Sequence, residues 1–177
     1  MAIEAQFFTP NHMIRGFVDT AGDRLSDILN RKNETALYIT RAQLFCMMSV
    51  GKTPPTLIPD LRLEKSFLML ALPMESDLTH KSLFRKTSGQ SYEITVLLPN
   101  YELRGKVFMS ERLDLRRGFV ARAEDFIPLT NAMFVYSPAP QITVRANAII
   151  FNKHHVGFIG EHPMLREATT IPIPADK

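Results

Sequence analysis

The feature that most constrains this chain is that it repeats itself. Glu4 to Val18 lies over Glu93 to Val107 at a constant offset of 89, with Glu, Pro, Asn, Arg, Gly and Val recurring at equivalent places. Six identities in fifteen positions exceed the roughly one that ordinary residue frequencies supply. As the offset drifts by a residue, Arg24-Leu25 recurs as Arg112-Leu113, Leu37 to Ala42 as Ile127 to Ala132, and Leu61 to Leu72 as Ile149 to Gly160. A unit of about 65 residues buries only a modest core by itself, so the two units are expected to pack against each other.

Within each unit the local pattern is that of strands. Ala5 to Thr9 and Ile94 to Leu98 are short runs of β-formers, each stopped by a Pro-Asn turn dipeptide. Met13 to Asp19 and Glu102 to Met109 continue as strands through an Arg-Gly pair, where an interior glycine predicts a bulge or a close backbone approach. Leu25, Ile28 and Leu29 share one helical face, with Asp23 placed to cap the start and Asn30 to mark the stop. Ser110 to Phe119, its counterpart, fits a helix less well. Ala36 to Met47 and Asp125 to Tyr136 read as long strands followed by proline-bearing loops, 51–55 and 137–140, of hairpin type. Asp60 to Leu72 and Ile142 to Gly160 read as the last strands, the second folded into a hairpin at Asn152-Lys153.

The fold class expected is therefore mainly β with one or two short helices, arranged as two tandem small barrels or sandwiches related by internal duplication. The divisions are a first β-unit at 1–74, a polar linker at 75–91, a second β-unit at 92–162 and an extended C-terminal tail at 163–177.

Charge narrows the function classes only a little. The formal net charge is +3, and the segment from Arg104 to Arg122 holds six Lys or Arg against Glu111 and Asp114. The remainder is close to neutral. Arg15 and Arg104 recur at one place in both units, and with Arg112, Arg116, Arg117 and Arg122 they form the candidate anion- or partner-binding set. No apolar run is long enough to span a bilayer. The first ten residues lack the layout of a secretory signal peptide. The single cysteine, Cys46, sits in an apolar stretch and reads as a buried small hydrophobe in a cytoplasmic protein.

Catalytic chemistry finds no foothold. Gly51-Lys52-Thr53 imitates the end of a phosphate-binding loop, but the upstream glycine is missing and prolines follow where a helix should begin. His154 and His155 would face opposite sides of a strand, and Cys46 is remote, so no metal set converges. No serine or cysteine nucleophile carries a matching motif. The expectation is a protein with no catalytic residue, no cofactor and no metal.

The motifs Arg15-Gly16-x-Val18, Arg24-Leu25-Ser26-Asp27-x-Leu29-Asn30, Ile39-Thr40-x-Ala42 and Asn152-Lys153-His154-His155-Val156 resemble those of a bacterial family of uncharacterised small β-rich domains, here in tandem. The second half lacks the Ser-Asp-x-Leu-Asn helix, and the first has Glu64-Lys65 where the second has Asn152-Lys153. The resemblance implies the fold and brings no chemistry. Strand order and the closing Asn152 to Gly160 segment bear a looser, fold-level likeness to Sm-like barrels. The leading functional expectation is a structural or adaptor protein that assembles with protein partners or with itself through its β-units. Clustered Met47, Met48, Met69 and Met74 suit that use. The alternative is a nucleic-acid-binding, Sm-like module working through residues 104–122.

Overall fold

The computed structural model describes residues 1–74, 90–109 and 122–161. The chain is mainly β. Its first half holds β1 (Ala2–Phe8), β2 (His12–Asp19), a one-turn helix α1 (Leu25–Leu29), β3 (Ala36–Cys46), β4 (Thr56–Glu64) and β5 (Leu70–Pro73). The second holds β6 (Gln90–Leu98), β7 (Tyr101–Met109), β8 (Phe126–Tyr136), β9 (Thr143–Asn152) and β10 (Phe158–Glu161). All ten strands join in one open antiparallel sheet, ordered β10-β6-β7-β8-β9-β5-β1-β2-β3-β4.

Each half is wired alike. β1 pairs with β2 and β5, and β6 pairs with β7 and β10, while the third and fourth strands of each half follow as hairpins. The registers coincide as well. Gln6 lies opposite Arg15 as Thr95 lies opposite Arg104, Phe8 opposite Leu70 as Leu97 opposite Phe158, and Ala36 opposite Glu64 as Phe126 opposite Asn152. The bulges coincide too, between Arg15 and Phe17 and between Arg104 and Lys106. Opposite them Arg41 and Asn131 adopt positive φ, 52° and 46°.

The Arg-Gly glycines explain why a side chain is excluded there. A Cβ on Gly16 would lie 2.5 Å from Ile39 Cγ2 and 3.0 Å from the Thr40 carbonyl oxygen. On Gly105 it would lie 2.8 Å from Ala132 Cβ. The bulged strand bends closely over its neighbour, and only glycine leaves room.

Two cores lie on opposite faces of the strands at the centre of the sheet. Phe7 belongs to the first core and Phe8 to the second; Leu70 and Leu72 belong to the second and Ala71 to the first; Ile150 belongs to the first, Ile149 and Phe151 to the second. Successive strand residues point to opposite faces, so β5 and Ile149 to Phe151 of β9 are apolar at every position because a core covers each side. Phe8 packs edge-on against Phe134, with ring centroids 5.0 Å apart, and against Tyr101 at 6.3 Å. Each half thus completes the interior of the other.

Several sequence expectations change in detail. Asn152-Lys153 is not a hairpin turn. A single 3-10 turn (Lys153–His155) carries the chain across to β6, with which β10 pairs. Asp60 to Leu72 is likewise broken by a 3-10 turn (Lys65–Phe67), after which β5 joins β1. Both breaks let a short last strand close on the first strand of its half. Asp23 does not cap α1; its carboxylate takes an ion pair from Arg31 at 2.6 Å, and Arg24 occupies the capping position without a side-chain bond. Gln90 and Ser91 belong to β6 rather than to a linker. Cys46, expected to be buried, is exposed at the end of β3. The expected second helix and the C-terminal tail lie outside the described residues. Among those described, no helix is long and apolar enough to cross a membrane.

Candidate interaction surface

The junction of the halves is a built interface and defines what the outer edges lack. At its centre β5 pairs with β9, Leu70 opposite Phe151 and Ala71 opposite Ile150. The Asn152 N–H donates to the Met69 carbonyl at 2.9 Å. The buried Asn152 side chain donates to the carbonyls of Lys65 (3.3 Å) and Leu68 (3.1 Å) and accepts from the His154 N–H at 3.0 Å. The side chain therefore hooks the turn between β4 and β5. The Tyr101 hydroxyl donates to the Thr9 carbonyl at 2.6 Å, and burial pushes that phenol's pKa up.

Two lysines at equivalent places pin the chain that runs between the second and third strands. Lys65 Nζ donates to the carbonyls of Ile28 (2.8 Å) and Arg31 (3.1 Å), closing the C-terminal end of α1. Lys153 Nζ donates to the Arg122 carbonyl at 2.6 Å. Burial pulls the Lys65 ammonium below its ordinary pKa. Next to Lys153, Asp125 binds Lys32, His154 (2.9 Å) and Lys153 (3.5 Å). The hydrogen bond from Lys32, opposed by burial and aided by that from His154, takes Asp125 down to about 2. His155 meets the Ser66 carbonyl at 2.8 Å. These polar groups hold turns and strand ends together across the junction.

Of the arginines singled out from the sequence, the three that are described, Arg15, Arg104 and Arg122, are placed apart and in use. Arg15 Nε binds Glu4 at 2.6 Å across β1 and β2, whereas Arg104 binds Glu102 of its own strand at 2.9 Å. Equivalent in register, they have different carboxylate partners. Arg122 lies 3.6 Å from Glu124, and its carbonyl receives Lys153. Arg112, Arg116 and Arg117 lie outside the described residues. Among the described residues no group of three or more His, Cys, Asp or Glu could hold a metal ion.

No family model, curated protein or solved structure matches the chain. The surface must therefore be read from its own chemistry.

What stands out is the pair of outer strands. β4 and β10 end the sheet, each hydrogen-bonded on one side only among the described residues. Large apolar side chains lie exposed on them: Leu57 on β4 (71 % exposed) and Phe158 on β10 (51 % exposed). Unpaired strand edges flanked by apolar groups are templates for association. Part of β4 is guarded by Pro59 and by the exposed Arg62–Glu64 ion pair, devices that discourage indiscriminate pairing. Asn30 marks the stop of α1 as its sequence position implied, but its bonds to Phe126, the Asn152 and Lys65 roles, and which two strands form the edges were not legible from the sequence. The recurrence of lysine at 65 and 153 was the available signal for one of them.

Proposed function

We propose that this protein is a non-catalytic assembly or adaptor protein built from one duplicated β-unit, and that it engages protein partners through the outer edges of its sheet. The duplication is supported by matching wiring, registers and bulges in both halves. The unit is of the kind that the Arg-Gly, Arg-Leu-Ser-Asp and Asn-Lys motifs resemble. The observation that carries the reading is that, among the described residues, both outer strands are paired on one side only and carry exposed Leu57 and Phe158, the arrangement that strand addition uses: main-chain bonds supply affinity and side-chain pockets select the partner.

The test is to isolate partners from the native cell with wild type and with Leu57→Glu and Phe158→Glu, whose exposed positions tolerate charge. Edge-dependent partners disappear with one or both variants. Partners retained by both variants, or protein that carries nucleic acid released by salt, would overturn the reading.

A further inference from the structure

We propose that β10 of one copy pairs with β4 of a second copy, repeating between chains the β5–β9 junction found within the chain. The inference rests on the edge-assembly reading above and names a second copy of this chain as the occupant.

The argument comes from equivalence. β10 stands to the second half as β5 stands to the first, because Phe158 faces Leu97 as Leu70 faces Phe8, and the Gly157 N–H donates to the Leu97 carbonyl as the Met69 N–H donates to that of Phe8. β4 stands to the first half as β9 stands to the second. The internal junction is therefore the back of one unit docked on the front of the next. Among the described residues the back at β10 and the front at β4 carry no pairing strand.

Burial follows the same equivalence. Leu70 is 0 % exposed because it sits in the neighbouring core, and its equivalent Phe158, on the same side of its strand, is 51 % exposed. Ile159, equivalent to Ala71, packs on its own half's core as Ala71 does. On the receiving side, Phe134 and Tyr136 of the second half are buried under Phe8 and its neighbours. Their equivalents in the first half, Leu44 and Cys46, are half-buried and exposed. Phe158 thus faces water at one end, and partly buried Leu44, Ile58 and Leu61 line the edge of the first core at the other.

The internal register sets the external one. With Leu70 opposite Phe151 and Ala71 opposite Ile150, Phe158 of one copy falls opposite Leu63 of the next, and Ile159 opposite Arg62. Pro59 lies beyond this short pairing, as the first part of β9, paired with β8 alone among the described residues, lies beyond β5. Because back meets front, the contact is heterologous and repeats, closing as a ring or continuing as a filament.

Sedimentation velocity over a concentration series is the first measurement, with the expected result a concentration-dependent association that Phe158→Glu weakens roughly tenfold or more, as loss of an apolar anchor does. Arg62→Cys/Ile159→Cys in a Cys46→Ser background tests the register under oxidation, since only directly opposed positions come within disulfide reach. Disulfide-linked dimers and higher species from the double variant, with neither single variant cross-linking, are expected. A monomer at every concentration overturns the inference, as does association indifferent to Phe158→Glu, or cross-linking by a single variant, which marks like-to-like pairing. A monomer whose edge variants still lose a native partner sinks self-pairing alone. Loss of neither self-association nor partner in the edge variants sinks the edge-assembly reading with it.

Discussion

Asn30 and Phe126 are joined by two reciprocal hydrogen bonds, the side-chain amide donating to the Phe126 carbonyl at 2.8 Å and the side-chain oxygen accepting the Phe126 N–H at 2.9 Å. The side chain acts as a peptide group would in a ladder, and it ties the end of α1 to the start of β8 across 96 residues of chain. The same side chain accepts from the Asp125 N–H and donates to Ser26. Asn30→Ala leaves these main-chain groups without their partner and is expected to lower unfolding stability by about 1–3 kcal/mol, read as a lower urea midpoint. An unchanged midpoint would remove Asn30 from the structural account.

Gly105→Ala is expected to destabilise by about 1–3 kcal/mol, since the new methyl meets Ala132 Cβ at 2.8 Å and has to be accommodated by overpacking. Adding Ala132→Gly removes the nearest atom but leaves the Ala132 Cα at 3.1 Å. A partial recovery in thermal midpoint is therefore expected, and additive losses would refute the close approach.

Lys65→Met keeps much of the apolar stem and deletes the donor to Ile28 and Arg31. The expected loss is about 1–3 kcal/mol, and amide exchange should quicken in α1 before it quickens elsewhere. Lys153→Met is expected to loosen the Arg122 region instead. Exchange changes that do not separate by half would contradict these assignments.

Asp125 supplies the pH dependence. Its carboxylate is held in the folded state at about 2, below the ordinary 3.8. A depressed carboxylate contributes stability that is fully present above the unfolded value and is lost as pH falls through the folded one. The stability difference between wild type and Asp125→Asn is thus expected to be constant near neutrality and to shrink between pH 3.8 and about 2. Denaturant titrations at stepped pH read this directly, and a gap that widens on acidification would reverse the sign.

Much of the fold was legible because its determinants are local. Pro10-Asn11 and Pro99-Asn100 end strands by backbone preference, and the Arg-Gly pairs mark bulges because glycine alone admits the close approach. The Leu25, Ile28, Leu29 stripe buried as its spacing required. Partner choice was not legible. Nothing near Asn152 says that its amide hooks a turn 84 residues away at Leu68, and nothing near Phe158 says that β10 crosses to β6 rather than folding back on β9. Arg15 and Arg104 looked like a matched pair, yet their carboxylates differ because ion-pair partners depend on which side chains neighbouring strands present.

The sequence by itself determined a mainly β chain, most of its strands, the Arg-Gly bulges and the Pro-Asn turns, since period, glycine and proline act over a few residues. Only the tertiary structure decided that the halves share one sheet and lend residues to each other's cores. That depends on which strand edges meet and which faces are covered, and alternating strand residues serve two cores only once both are in place.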